Sequence, residues 1–456
     1  MRKQNFILLV SLFLAVFAAC EPVSGQKIND NPFEDIDADL KVSMTSNADS
    51  LFLSWEPFGT SKFDSYKVQS DALGVDRTFG KSESSCFFTH VPYNEIVKID
   101  ILMLDGGKEI SRTSLYANID GIDHTIASKI IPDNGSVTAG DGMYSIALPD
   151  GRSIFLMGDS FVCPVVNGSR PATAHMYRNT YIVYDPKTET AKGIYDTNGP
   201  NTSAAVPPEY PWENKWYWPL HGFVDGDTLY IFQSLMYMGS EGMWGFAFER
   251  VNLLTYSLPD IKLIEDKPIN FYSKQEIHYG AAAMNNGDYF YIYAQVDLEN
   301  GLEPKTAVYC ARATKDNIRG NWEYYNGHDW TISSADAAPL EGLSSVPVSS
   351  QFNVFKLRDK YVLFTENKKL WVNEIYTFTS DTPYGPWSHK KVIYTVPEFS
   401  DANLMCYNAM AHPQFEKDGM ILITYDMNTS DGNQQAADVS TYRPRFIWID
   451  IDKILK

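Results

Sequence analysis

The chain has 456 residues, of which 44% are hydrophobic and 21% are charged, so it can bury a core and is not an intrinsically disordered chain. Its length indicates about two or three domains. The formal net charge of −19 repels a phosphate backbone and argues against a nucleic acid partner.

The first residues have the pattern of an export signal. In "MRKQNFILLVSLFLAVFAAC", Arg2 and Lys3 precede an apolar run that ends in small residues and Cys20. "FAAC" resembles the lipobox of bacterial lipoproteins, which implies removal of residues 1–19 and lipidation of Cys20; an ordinary signal peptide is the alternative. Residues 20–38 are polar and turn-rich, as in a tether. We therefore expect a cell-envelope protein, attached to the outer membrane through the lipid alone.

Four further cysteines are far apart along the chain and show no metal-site spacing; they are Cys86, Cys163, Cys310 and Cys406. An exported protein could pair two of them in a disulfide, and the sequence does not decide which.

Residues 39–120 have the pattern of a small β-sandwich. "SLFLSWEPF" alternates apolar and polar residues around Trp55, and "FDSYKVQS" and "VKIDILMLDGGKEISRTS" indicate three more strands. This order resembles a fibronectin type III domain with Trp55 as its core tryptophan.

Residues 130–456 contain one unit that recurs five times. The units begin at "GMYSIALPDGRSIFLMGDS", "WPLHGFVDGDTLYIFQS", "HYGAAAMNNGDYFYIYAQ", "SSQFNVFKLRDKYVLFTEN" and "NAMAHPQFEKDGMILITYD". Each pairs a short apolar strand with an aromatic-rich strand across a turn, and amphipathic helix patterns are nearly absent. The sequence predicts an all-β chain with a five-bladed β-propeller. A second sandwich is the alternative, although its repeats should be shorter.

Polar residues lead into the first strand of each unit, and these strands line the central channel of a propeller. Because such residues should converge at one mouth of the channel, we expect them to contact a polar ligand. The predicted contacts are Trp218, His221, His278, Gln351, Asn408 and His412. No cofactor is expected, although a cation bound by His221, His278 and His412 stays open.

The stretch "AGDGMYSIALPDGRSIFLMGDSF" carries a Gly-Asp step at each end of one predicted hairpin. The hairpin should bring Asp141 and Asp159 together at the channel mouth. Two close carboxyl groups repel, so one pKa should rise, which separates an acid from a base or nucleophile. Aspartates that cap turns are the alternative. Arg178 and Asn179 in "MYRNT" could bind substrate or hold Asp159.

The same stretch, followed by "RNT", resembles the opening blade of a bacterial five-bladed propeller family known as a domain of unknown function. A related branch contains endo-D-arabinanases, which cleave D-arabinofuranose chains. "TSDTPYGPW" and "GNWEYYNG" look like outer-blade turns of arabinanase and fructosidase propellers. The resemblance implies catalysis by Asp141 and Asp159, with Arg178 and Asn179 beside them. A catalytic glutamate in the third blade is not evident, and Glu276 is only a candidate.

These observations favour a monomeric, lipid-anchored glycoside hydrolase that cleaves a complex polysaccharide, with endo action on arabinofuranose chains as the implication of the resemblance. A surface protein that binds glycans without cleaving them is the first alternative. An adhesive propeller that binds a protein is the second.

Overall fold

The computed structural model describes residues 40–57, 62–93, 95–196, 203–208, 215–242, 245–269, 277–369, 372–400 and 403–456. The signal, Cys20, the tether and Glu276 therefore lie outside the described residues. The first of two compact units contains the residues up to Ser46 and Ser50–Ile119, and the second contains Asn47–Asp49 and Asp120–Lys456. None of the helices in the described ranges is long and apolar enough to cross a membrane.

The first unit is a two-sheet sandwich built around Trp55. Its strands are β1 (Leu40–Asn47), β2 (Ser50–Pro57), β3 (Ser65–Ser70), β4 (Val75–Gly80), β5 (Ser85–Phe88), β6 (Val97–Asp105) and β7 (Lys108–Ala117). One sheet has the order β1-β2-β5 and the other β4-β3-β6-β7. Trp55 is 1% exposed and meets the rings of Tyr66 and Phe79 edge-on, at centroid distances of 5.5 and 5.6 Å. The resemblance to fibronectin type III stays a prediction.

Within the described residues, the second unit contains six antiparallel sheets, which form the five blades of a propeller because blade I contains two of them. Blade I comprises β8 (Asn134–Gly140), β9 (Tyr144–Ala147), β10 (Ser153–Met157), β11 (Ser160–Pro164), β12 (Met176–Tyr177), β13 (Thr180–Asp185) and β14 (Thr190–Ile194). Blade II comprises β15 (Lys215–Asp225), β16 (Thr228–Met238), β17 (Phe246–Ser257) and β18 (Lys262–Pro268). Blade III comprises β19 (Ala282–Asn285), β20 (Tyr289–Glu299), β21 (Lys305–Thr314), β22 (Glu323–Tyr325) and β23 (Trp330–Thr331).

Blade IV comprises β24 (Asn353–Leu357), β25 (Lys360–Glu366), β26 (Glu374–Ser380) and β27 (Ser388–Thr395). Blade V comprises β28 (Leu404–Lys417), β29 (Met420–Thr429) and β30 (Pro444–Asp450). The helices are α1 (His124–Ile130), α2 (Gly432–Ala437) and α3 (Ile451–Leu455), and the 3₁₀ turns span Lys315–Asn317, Ser334–Asp336, Pro397–Ser400 and Val439–Tyr442. The predicted all-β fold with a five-bladed propeller is confirmed.

Each blade is buried on both faces, which explains the long apolar runs in its inner strands. In β20, Phe290 and Ile292 pack into a core shared with blade II, whereas Tyr291 and Tyr293 pack into a core shared with blade IV. Successive side chains of a strand point to opposite faces, so both sets must be apolar or aromatic. The neighbouring blades therefore form one continuous packed ring.

The ring is closed by the chain segment that precedes blade I. Ile122 bridges to Ile447 of β30, and the N–H of Asp123 donates to the carbonyl of Phe446 at 2.8 Å. This contact covers the free edge of the last blade, which would otherwise offer unpaired backbone groups. Asp123 also accepts hydrogen bonds from the first N–H groups of α1.

The four described cysteines are all free, so the described residues contain no disulfide.

The packing between blades predicts that substitutions at the two ends of β20 lower the free energy of unfolding by very different amounts. Phe290 is fully buried and stacks on Phe223 at a centroid distance of 4.3 Å, whereas Leu298 is 58% exposed. We expect Phe290→Ala to lower the free energy of unfolding by about 3–5 kcal/mol and Leu298→Ala by less than about 0.5 kcal/mol. Denaturant unfolding of both variants measures this, and equal losses would contradict the packing described.

Candidate active site

Asp141 and Asp159 lie opposite each other in blade I. Gly140 pairs with Ser160 on one side and Tyr144 with Leu156 on the other, so one register runs through the intervening residues and aligns the two aspartates. The N–H of Asp141 donates to the carbonyl of Asp159 at 3.3 Å. Both side chains keep partial exposure. The two ends of the hairpin thus bring two accessible carboxyl groups together.

Gly158, which precedes Asp159, and Gly142, which follows Asp141, allow this arrangement. A Cβ on Gly158 would overlap Oδ1 of Asp141, so only glycine leaves space for that carboxyl group. Gly142 has a φ of +106°, and its N–H donates to Oδ2 of Asp426 at 2.6 Å. The motif is therefore explained by close approach and by backbone geometry.

Asp159 is bound by two donors, one on each oxygen. Arg178 Nη1 donates to Oδ2 at 3.2 Å, and Trp218 Nε1 donates to Oδ1 at 3.0 Å. The guanidinium of Arg178 also stacks on the ring of Trp216, 4.3 Å from its centroid. Burial raises the pKa of Asp159, while Arg178 and Trp218 oppose that rise. These two residues therefore favour an ionised Asp159.

Asp141 is bound by two tyrosine hydroxyl groups. Tyr407 donates to Oδ2 at 2.8 Å, and the hydroxyl of Tyr442 lies 3.2 Å from the same oxygen. Burial, followed by the charge of Asp159, raises the pKa of Asp141 to about 7, although both tyrosines act against this rise. Asp141 therefore retains a proton far more readily than an exposed aspartate.

Two further acidic residues near this pair were not predicted from the sequence. Asp426 on β29 is fully buried, and burial and the charge of Asp141 raise its pKa well above the ordinary value. Glu366 ends β25, and burial raises its pKa to about 8. Glu366 is the last residue of β25, Asp426 lies three residues before the end of β29, and Asp159 lies two residues after β10, so each is near the end of the second strand of its unit. An acidic residue repeated at that place, in "FLMGDS", "LFTEN" and "ITYDMN", is the sequence signal that would have identified them.

Asn179 was predicted to contact substrate, and the structure corrects this role. Its side chain is fully buried. Its Nδ2 donates to the carbonyls of Ala205 and Tyr217, both at 2.9 Å, and its Oδ1 accepts from the N–H of Ala205 at 2.8 Å. Because the whole amide is bonded to backbone groups, Asn179 ties blade I to the start of blade II.

His221 and His412 were also predicted as ligand contacts, and both prove to be structural. His221 Nδ1 accepts from the N–H of Ala283 at 3.1 Å, and its Nε2 lies 3.4 Å from the carbonyl of Ser145. His412 Nδ1 lies 2.7 Å from Oγ of Ser145, and its Nε2 lies 2.9 Å from Oγ1 of Thr424. Burial lowers the pKa of His221 to about 4 and that of His412 to about 3, so both rings are neutral links between blades.

Two further predicted contacts, Trp218 and His278, are partly exposed and pack against aromatic rings. Trp218 is half-buried, and its ring meets Phe246 at a centroid distance of 4.8 Å. His278 is also half-buried and stacks on Phe248 at 4.0 Å. Phe246 and Phe248 are two residues apart on β17, and Trp218 donates to Asp159. We call the two ring pairs, Trp218 with Phe246 and Phe248 with His278, the aromatic wall.

Gln351 and Asn408 differ in exposure. Gln351 is half-exposed just before β24. Asn408 is 3% exposed, its N–H donates to Oε1 of Glu366 at 3.1 Å, and its side chain counteracts the raised pKa of Asp426. Asn408 therefore supports the buried acidic residues rather than facing a ligand.

No cluster of three or more His, Cys, Asp or Glu side chains that could hold a metal ion occurs within the described ranges. The ring nitrogens of His221 and His412 are already bonded to protein groups. We therefore do not propose a cation bound by His221, His278 and His412.

The environment of Asp141 predicts a stability that falls as pH rises. Its folded pKa of about 7 lies above its ordinary value of 3.8, so its contribution is complete below about pH 4 and is lost as pH rises through 7. Asparagine imitates the protonated acid, so Asp141→Asn should raise the free energy of unfolding by about 1–4 kcal/mol at pH 8 and leave it unchanged at pH 4.

Denaturant unfolding at both pH values provides the measurement, with Asp150→Asn as the control. Asp150 lies in the turn of the same hairpin, and its bond with Arg152 lowers its pKa. That variant should gain no stability at pH 8. If the Asp141→Asn variant is no more stable than the parent protein at pH 8, the raised pKa of Asp141 is contradicted.

Comparison with known proteins places this geometry in context. A Bacteroides ovatus protein described as a "putative hydrolase" aligns over 71% of this chain and 88% of its own, with 22% identity and a TM-score of 0.58, which shows a shared fold. More distant similarity exists to a GH43 β-xylosidase/α-arabinofuranosidase from a compost microbial metagenome, solved with xylotriose (13% identity, 71% and 93% coverage, TM-score 0.40). An exo-1,5-α-L-arabinanase from a bovine ruminal metagenomic library is similarly distant (12% identity, 68% and 93% coverage, TM-score 0.37).

A search of curated proteins found no match. Residues 132–450, which span the propeller, match the family model described as "Domain of unknown function (DUF5005)", and the chain belongs to this family.

Proposed function

We propose that the protein is a glycoside hydrolase that cleaves a complex polysaccharide at the mouth of its propeller. The observation that supports this most strongly is the aligned pair Asp141 and Asp159, in which one carboxyl group favours its proton and the other is bound by Arg178. Glycoside hydrolysis requires such a pair, because one group protonates the leaving oxygen while the other acts at the anomeric carbon.

The different environments assign the two roles. Asp141 gives its proton to the glycosidic oxygen as that bond breaks. The Asp159 carboxylate attacks the anomeric carbon and forms a glycosyl ester. Asp141, now ionised, takes a proton from water as that water hydrolyses the ester, which restores both groups.

The register favours retention of the anomeric configuration. Residues directly opposite in an antiparallel pair have Cβ atoms about 4.5–5.5 Å apart. Retaining glycosidases separate their carboxyl groups by about 5–5.5 Å, whereas inverting enzymes need more room for a water molecule. The N–H of Asp141 donates to the carbonyl of Asp159, so the two residues are adjacent, and we propose a retaining mechanism on the basis of this proximity.

The aromatic wall fits a sugar chain that extends from the carboxyl pair. Aromatic rings offer flat apolar faces, and the indole of Trp218 also joins the wall to Asp159 through its N–H. An extended wall favours a polymer over a monosaccharide. The family resemblance makes D-arabinofuranose chains the first candidates, with endo cleavage.

We place the active protein in the cell envelope, anchored through Cys20, on the basis of the lipobox alone. Loss of membrane association in a Cys20→Ser variant, without loss of the folded protein, tests that location.

A product assay tests the activity. Purified protein is incubated with a panel of polysaccharides that includes arabinogalactan and D-arabinan, and released oligosaccharides are measured. Asp141→Asn and Asp159→Asn should each lower the rate of release at least about 100-fold, because each removes one essential group. Asp150→Asn, in the turn of the same hairpin, should retain full activity. Full activity in both site variants would refute the mechanism.

The pH dependence and the product anomer test the assigned roles. Activity should fall as pH rises through about 7, because Asp141 must be protonated and its pKa is about 7. Proton NMR of the first product formed should show the anomeric configuration of the substrate. Inverted product would show that Asp159 activates water instead of attacking the sugar.

A non-catalytic glycan-binding protein is the second candidate, and the aromatic wall favours it equally. The same polymers immobilised in an affinity gel separate the two functions. Retention of the protein on one polymer without product release, even after long incubation, would identify a binding protein and make both aspartates ligand contacts.

A further inference from the structure

A continuous chain of hydrogen bonds leads from a backbone carbonyl to Asp141. Gln435 on α2 donates through Nε2 to the carbonyl of Thr429 at 3.1 Å and to Oδ1 of Asn428 at 2.8 Å. Asn428 Nδ2 donates to the hydroxyl of Tyr407 at 2.9 Å. The hydroxyl of Tyr407 donates to Oδ2 of Asp141 at 2.8 Å.

The backbone carbonyl determines the direction of every bond in this chain. A carbonyl oxygen only accepts, so the side-chain atom that Gln435 presents to Thr429 must be its nitrogen. That nitrogen also faces Asn428, which must therefore present its oxygen to Gln435 and its nitrogen to Tyr407. The hydroxyl oxygen of Tyr407 then accepts from Asn428, and its single proton points to Asp141.

This direction distinguishes the two oxygens of Asp141. Oδ2 receives the proton of Tyr407 and so acts as an acceptor in both protonation states. Oδ1 lies against the Cα of Gly158, where a Cβ would overlap it. Because a hydroxyl oxygen accepts a hydrogen bond less readily than a carbonyl oxygen, the bond from Tyr407 to Oδ2 favours the proton of the neutral acid on Oδ1.

We propose that Asn428 and Gln435 are positioning residues that direct the Tyr407 hydroxyl proton to Asp141 Oδ2 and so reserve Oδ1 for the transferred proton. This role rests on the proposed hydrolase function. Neither residue contacts the reacting atoms, since each acts through Tyr407.

Other groups around Asp141 do not replace Tyr407. The hydroxyl of Tyr442 lies 2.8 Å from the carbonyl of Asp159 and 3.2 Å from Asp141 Oδ2, so its one proton has a closer acceptor. The charge of Asp159 raises the pKa of Asp141, and both oxygens of Asp159 are bound by Arg178 and Trp218. Asp426 accepts the N–H of Gly142 through its Oδ2. Tyr407 is thus the donor on which Oδ2 of Asp141 depends.

The test follows the titration of Asp141 in the purified protein, with no substrate present. Aspartate labelled with ¹³C at Cγ reports protonation by NMR, and Asp141→Asn identifies the resonance. Tyr407→Phe should raise the midpoint by about one pH unit, because a donor to the ionised form is lost. Asn428→Asp should also raise it, because a carboxylate at this place accepts the Tyr407 proton.

A double-variant cycle separates this effect from the added charge. In the Tyr407→Phe background, Asn428→Asp acts only through its charge, so its shift should be clearly smaller than in the parent. Asn433→Asp, on the exposed side of α2, adds a charge to the same segment and should leave the midpoint unchanged. Gln435→Met, at a half-exposed position, removes the first donor and provides a milder variant with a smaller upward shift.

Equal shifts by Asn428→Asp in both backgrounds would overturn the proposal, as would a midpoint that Tyr407→Phe leaves unchanged. The titration needs no turnover. A protein that shows the expected shifts of the midpoint but cleaves no polysaccharide would therefore refute the hydrolase function and support the chain of hydrogen bonds. A protein that cleaves polysaccharide but does not show these shifts would refute only the positioning role of Asn428 and Gln435.

Discussion

Burial of two neighbouring carboxyl groups in blade I, together with the repulsion between them, governs this site. Asp141 and Asp159 are opposite in register, so they cannot both ionise without cost. The surrounding residues give the two carboxyl groups different environments. Arg178 and Trp218 support the charge of Asp159, while burial favours the proton on Asp141. In the proposed mechanism, these two environments make an acid and a nucleophile from two identical side chains.

Blade I supplies both carboxyl groups but few of the groups that separate their roles. Tyr407 comes from blade V, Tyr442 from the segment before β30, and Trp218 from blade II. These donors meet only because the blades pack face to face and the ring closes through Ile122 and Ile447. The proposed catalytic chemistry and the closure of the fold therefore depend on the same packing, and damage to a core between blades should affect both.

The sequence alone predicts the propeller and the carboxyl pair. The five repeats identified the propeller, and the hairpin with two Gly-Asp steps located the carboxyl pair, because strand and turn patterns act over short distances. The tyrosines were missed because they are brought to Asp141 across hundreds of residues by ring closure. Asn179, His221 and His412 were misjudged because polar residues near the channel also serve as links between blades. The sequence does not distinguish a polar side chain that is fully hydrogen-bonded within the protein from one that binds a ligand.

The central claim is that Asp141 and Asp159 act on one glycosidic bond, and a crystal structure of the Asp141→Asn variant with a bound oligosaccharide tests it most directly. The account predicts the glycosidic oxygen within about 3 Å of the side chain at position 141 and the anomeric carbon about 3–3.5 Å from an oxygen of Asp159. A sugar chain bound along the aromatic wall with both groups more than one residue away from its scissile bond would contradict it.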